Sequence, residues 1–145
     1  MTNQEVFERI AARVLASAKE AFPVAIILRP TQLLAAEDIE WNKVSSGQCA
    51  ATLKWLRDEG FFRSQDGILG QTPDGFAIMY QDAVLTAKGL EALNVKVKIG
   101  DREGTAGDLL VEQVKEGGKD VRSAAIHELI GGIVGAAVRN FLGAG

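Results

Sequence analysis

The chain predicts a mainly helical α+β fold: helices framing a small β-hairpin, followed by further C-terminal helices. Three observations carry this. Apolar residues recur at helical spacing behind capping residues near the start and again before residue 60. Between residues 61 and 85, short branched and aromatic runs are separated by Asp-Gly and Pro-Asp-Gly turns. Beyond residue 105 the helical period returns without turn signals until the pair Gly117 and Gly118.

The first helix starts at Thr2 and Glu5, whose spacing lets each side chain satisfy an orphan backbone donor. Phe7, Ile10, Val14 and Ala18 continue its apolar stripe, and Pro23 ends it. Val24 to Leu28 reads as a short buried strand. Pro30 and Thr31 open a short helix through Leu33 and Leu34, and AAEDIEWNK reads as an acidic loop or a ragged extension of that helix. The third helix takes Ser45 and Gln48 as its capping pair, turns Cys49, Leu53 and Leu56 inward, and stops at Gly60. FFRSQ is a strand, Asp66-Gly67 and Pro73 to Gly75 are turns, and GFAIMYQDAVL is a second strand region. Thr86 caps the short helix TAKGLEAL. VKVKIG reads as an edge strand or extended linker, and DREGTAG as a loop. Two helices follow, Ala106 to Glu116 and Asp120 to Leu142.

Length and composition set bounds on the function. The 145 residues, 47% hydrophobic and 24% charged, suffice for one domain with an appendage and exclude wholesale disorder. The net charge is -3. Residues 1–94 hold nine Lys and Arg against twelve Asp and Glu, and residues 95–145 hold seven of each, so no basic excess announces a strong phosphate binder. The single cysteine, Cys49, excludes an internal disulfide and a cysteine-based zinc site. MTNQEVFERI has no signal-peptide pattern, and the uncharged apolar run Leu129 to Val138, which no uncharged run exceeds in length, falls short of the ~20 apolar residues of a membrane span. A soluble, cytoplasmic protein with no membrane partner is expected.

Helix, strand, helix, helix, hairpin is the order of a winged helix-turn-helix domain, and particular residues carry the resemblance. TLKWLRDEGFFR (Thr52 to Arg63) resembles the end of a recognition helix running into the first wing strand. AVLTAKGLEAL (Ala83 to Leu93) resembles the second wing strand leading into the next helix through its LT-x-x-G signature. AFPVAIILRPTQLL is similar to the join between the first two helices in uncharacterised, often prophage-associated, bacterial winged-helix proteins. The resemblance implies a winged-helix domain at 1–94, a linker or edge strand at 95–104, and a C-terminal helical segment at 105–145. It also implies a DNA-binding, transcription-regulator-like activity. The stretch from Asp66 to Tyr80 is longer than the usual wing, so no wing contact is carried over.

On that fold the third helix enters the major groove and its outward side chains meet base edges. Centring the core side on Leu53 sends Gln48, Ala51, Thr52, Trp55, Asp58 and Glu59 outward. Gln48 and Thr52 become candidate base readers, and Lys43, Lys54, Arg57 and Arg63 candidate phosphate contacts on double-stranded DNA. Asp58 and Glu59 carry the wrong sign for phosphate, and an outward Trp55 suits a protein interface. Two further readings therefore stand beside DNA binding: a solvated basic face, and a protein-recognition module without DNA binding.

The C-terminal helix carries a very wide apolar arc of Ile126, Leu129, Ile130, Ile133, Val134, Ala137, Val138 and Phe141, with Gly131, Gly132, Gly135 and Ala136 opposite. Each glycine costs roughly 0.5–1 kcal/mol of helix stability relative to alanine, so the helix needs tertiary support. A homodimer interface through Ile126, Ile130, Gly131, Ile133 and Gly135, joined by Trp55 in partner recognition, is the expectation. Packing against the first helix within one chain is one alternative, and a membrane-surface helix, whose polar face would need lysines and arginines that this one lacks, is a third.

No catalytic set is expected. His127, the only histidine, reads as structural or interfacial, and Cys49 as an inert core thiol. Glu37, Asp38 and Glu40 read as a solvated acidic loop in preference to a cation site. No nucleophile, base and orienting group assemble, and neither a metal nor a cofactor is called for.

Overall fold

The computed structural model describes residues 1–65, 68–72, 75–116 and 119–143, with the side chains at 68–72, 75–78, 119–123 and 138–143 excepted. The turn residues Asp66, Gly67, Pro73 and Asp74, the pair Gly117 and Gly118, and the side chains of Val138 and Phe141 therefore lie outside the described residues. The architecture is α+β and mainly helical, with a small antiparallel sheet.

Helix α1 (Asn3–Ala21) begins at Thr2, where the reciprocal hydrogen bonds with Glu5 are both present. It buries more than one stripe: Val6, Ile10, Val14 and Leu15, and also Ala11, Ala12, Ala16 and Ala18. Alanines on the second face let neighbouring elements approach closely. Strand β1 (Ile26–Leu28) is shorter and more exposed than the sequence predicts. Only Leu28 is buried, while Val24 and Ile27 face solvent, because β1 lies on the sheet edge with one face uncovered. Helix α2 (Pro30–Ala36) starts with Pro30, whose missing N–H costs nothing in the first turn.

Helix α3 (Lys43–Asp58) is capped by Asn42, three residues before the expected cap Ser45. Asn42 Oδ1 accepts from Ser45 N at 2.8 Å, and Asn42 N donates back to Ser45 Oγ at 2.9 Å. Ser45 is thus the third helical residue, not the cap, since asparagine caps as well as serine and lies one turn upstream. At the other end Gly60 adopts φ +83°, Gly60 N donates to Arg57 O, and Phe61 N donates to Leu56 O. These bonds close the last carbonyls through a left-handed residue that only glycine adopts cheaply.

Strand β4 (Gly75–Leu85) organises the sheet. It lies between β1 and β2 (Phe62–Arg63), and its first half pairs with β3 (Ile68–Thr72) as a hairpin. Ile26 faces Ala83, Leu28 faces Tyr80, and Phe62 faces Leu85. The β1 register shifts between its two pairs, beside Asp82 at φ +52°.

Helix α4 (Ala87–Leu93) is capped by Thr86, whose Oγ1 accepts from Gly89 N at 2.9 Å. It also clamps the end of α3. Thr86 Oγ1 donates to the Gly60 carbonyl, Thr86 N to the Phe61 carbonyl, and Lys88 Nζ to the Glu59 carbonyl. At Gly89 a Cβ would sit 2.1 Å from the Phe61 carbonyl oxygen, so only glycine lets α4 come this close.

The stretch read as a loop, DREGTAG, instead supplies strand β6 (Arg102–Thr105), paired with β5 (Lys96–Ile99) across a turn with Gly100 at φ +60°. A left-handed glycine between two alternating runs makes a tight hairpin, which resolves VKVKIG as a strand. Helices α5 (Ala106–Glu116) and α6 (Lys119–Gly143) complete the chain. Ile126, Leu129 and Ile133 are at most 1% exposed and share one core with α1 and α3. Helix α6 packs against α1, α4, α5 and β5 of the same chain. Ala136, expected on the small-residue side, is buried, because α6 is enclosed on two sides rather than one. Among the described residues no helix is long and apolar enough to cross a membrane.

Candidate functional site

Two surfaces share helix α3, and they divide the residues that the sequence singles out. Leu53 is fully buried and Trp55 is 37% exposed, so the orientation of the helix is as expected to within part of a turn. The core side is centred between Cys49, Leu53 and Leu56 rather than on Leu53. That offset brings Thr52 inside, against expectation: it is 4% exposed and its Oγ1 donates to the Gln48 carbonyl. Gln48 is half-buried, with Nε2 donating to Asn3 Oδ1 at 2.5 Å. Neither candidate base reader therefore stands on the exposed face.

The candidate phosphate contacts fare differently. Lys43 and Arg63 are exposed. Lys54 is exposed and paired with Asp58 one turn on, and the Asp58 hydrogen bond and charge hold its ammonium above the usual lysine range. Arg57 is half-buried, its guanidinium 5.4 Å from the centre of the Tyr80 ring.

Toward α1 and α6 the helix borders an apolar groove of about 760 Å³. Trp55 meets Phe7 edge-on at 5.3 Å between ring centres and stacks on Phe61 at 6.0 Å. Ile130, Gly131 and Val134 of α6 form the opposite wall. Of the residues expected at a partner interface, Trp55, Ile130 and Gly131 come together here. Ile126 and Ile133 do not, being core residues, and Gly135 is half-buried.

One polar pair marks the groove. Glu8 of α1, 6% exposed, receives His127 of α6, whose Nδ1 lies 2.8 Å from each carboxylate oxygen. The hydrogen bond and charge of Glu8 raise the His127 pKa above its ordinary value. Sequence reasoning reads Phe7 only as part of the apolar stripe of α1 and gives Glu8 no role. The available signal was that α1 has no continuous polar face: Glu8 is followed one turn later by Ala12 and then Ala16, a second buried row.

The remaining candidates are structural. Burial pushes the Cys49 thiol up to about 12, leaving it inert. Glu37 does not belong to a solvated loop: its side chain is 1% exposed and paired with Arg13, because the end of α2 folds back onto α1. Among the described residues no group of three or more His, Cys, Asp or Glu is placed to hold a metal ion. No family model, no curated protein and no solved structure matches the chain.

Proposed function

We propose that this chain is a winged helix-turn-helix protein that binds duplex DNA through α3, with little discrimination between sequences. The observation that carries the reading is the strand order. A strand leaving α1 pairs with β4 on one edge, the strand leaving α3 pairs with it on the other, and β4 continues into a hairpin. That order is the one the winged-helix resemblance implies, in which the helix before the hairpin is the groove-reading one.

Local charge supports it. From residue 43 to residue 63 the chain has four basic residues (Lys43, Lys54, Arg57, Arg63) and two acidic ones (Asp58, Glu59), within a chain of net charge -3. Weak discrimination follows from what the exposed face of α3 offers: Lys43, Val44, Gly47, Ala51, Lys54, Trp55 and Asp58, with Gln48 half-buried and Thr52 buried. Lysines on phosphate supply affinity without sequence information.

Fluorescence anisotropy with short random duplexes across a salt series tests this. Three phosphate contacts, from Lys43, Lys54 and Arg63, give a log–log salt slope of about −3. Lys54→Ala and Arg63→Ala each flatten the slope by about 1. Absence of binding at low ionic strength, or affinity indifferent to salt, refutes the proposal.

A further inference from the structure

The groove between α1, α3 and α6 is not needed for DNA binding, and its chemistry points to a ligand of its own. Its volume of about 760 Å³ falls in the ~300–1,000 Å³ range of small-molecule sites, and its walls are mostly apolar and aromatic. Among the described residues, the titratable groups lining it are Glu8 and His127, with no lysine or arginine in the lining. With His127 neutral the groove therefore carries one negative charge, on a carboxylate buried at its wall.

That carboxylate has acceptor capacity to spare. Both oxygens lie at 2.8 Å from one nitrogen, His127 Nδ1, its hydrogen-bond partner among the described residues. A carboxylate offers about four lone-pair sites and one N–H fills one of them. Across the groove stands Trp55, braced by Phe7, an aromatic surface suited to the apolar body of a ligand. An anion would meet Glu8 uncompensated. A neutral apolar molecule would leave the spare acceptors dry, which costs free energy.

We infer that this groove binds a small amphipathic organic cation, a primary amine or amidine on an apolar body about the size of one aromatic ring. The ammonium sits against Glu8 and the body lies between Trp55 and the Ile130–Val134 wall. The inference stands whether or not α3 binds DNA.

Calorimetry on the full chain at mildly alkaline pH, with phenylbutylamine, phenylbutanol and phenylbutyrate as probes, tests it. The amine binds saturably. The alcohol binds about tenfold more weakly or worse, having no charge-assisted bond to Glu8, and the acid more weakly again. Gly131→Leu removes amine binding. Nothing lies within 4 Å of a Cβ added at Gly131, so the new side chain fills the groove without disturbing the core. Glu8→Gln lowers the amine to the level of the alcohol, and if that variant fails to fold, Gly131→Leu still decides. No saturable amine binding, equal binding of the acid, or amine binding that survives Gly131→Leu overturns the inference. So does sedimentation showing a dimer that Gly131→Leu returns to monomer, since a second copy would then occupy the groove.

Discussion

The ion pair between Arg13 and Glu37 links α1 to the end of α2, and its loss should be felt across the whole fold. Arg13 Nε donates to Glu37 Oε2 at 2.9 Å, a terminal nitrogen reaches the same oxygen at 2.5 Å, and that nitrogen also reaches the Ala36 carbonyl at 3.3 Å. The Glu37 side chain is 1% exposed and that of Arg13 is 22% exposed. Replacing Arg13 by methionine keeps much of the packing and strands a buried carboxylate, a loss of about 3–5 kcal/mol for a fully buried pair. Arg13 is partly in water and Glu37 has further interactions, so the lower end applies, about 3 kcal/mol. Against a total of about 10 kcal/mol for a chain of this size, that is a third of the stability. At ~2–4 °C per kcal/mol it lowers Tm by roughly 6–12 °C. Urea unfolding followed by circular dichroism should show the midpoint falling with an unchanged slope. The double variant Arg13→Met with Glu37→Met should recover most of the loss, because the stranded charge is gone. A cost below about 1 kcal/mol for Arg13→Met, the value of an exposed pair, would refute this account of the α1–α2 junction.

Four further outcomes follow from the structure. Gly89→Ala should destabilise by about 1–3 kcal/mol despite a propensity gain of ~1 kcal/mol, because its Cβ meets the Phe61 carbonyl. Gly47→Ala, with open space around its Cβ, should instead stabilise by up to ~1 kcal/mol, and paired thermal melts compare the two. Cys49 should resist a disulfide reagent in the native protein and react freely in urea, since burial holds its pKa near 12; native-state labelling at the rate of a free thiol contradicts this. The Glu8–His127 contact should make stability depend on pH. The native His127 pKa is raised above 6.5, so its contribution is complete below that value and fades as pH rises through the native pKa. His127→Gln should flatten that part of the Tm-against-pH curve, and an unchanged curve would discount the contact.

What the sequence made legible was local. Thr2 with Glu5, Gly60 and Thr86 each act within a few residues, and each performs its expected role. The expectations that failed depend on neighbours. Thr52 was sent outward by centring the helix on Leu53, whereas Cys49 and Leu56 pull the buried side toward it. Asn42 holds the cap expected of Ser45 because two adequate capping residues stand one turn apart, and Ser45 serves instead as the return partner of Asn42. DREGTAG hid a strand because Arg102 to Thr105 alternates too weakly to announce one, and it becomes a strand by pairing with Lys96 to Ile99.

The groove lay beyond sequence reasoning for a different reason. Its walls come from residues near 7, 50 and 130, and the contact between Glu8 and His127 spans most of the chain. What brings them together is the second buried face of α1, where Ala12 and Ala16 leave room for other elements to pack. An alanine row reads as helix propensity when seen alone. It reads as a docking face only when a long apolar helix elsewhere needs a surface, and α6 is such a helix. Once α6 lies against α1, the gap left beside α3 is flanked by Trp55, and the acid at position 8 is trapped at its edge. The groove is thus a consequence of how α6 is accommodated, and filling it at Gly131 should leave the core of α6 intact while closing the cavity.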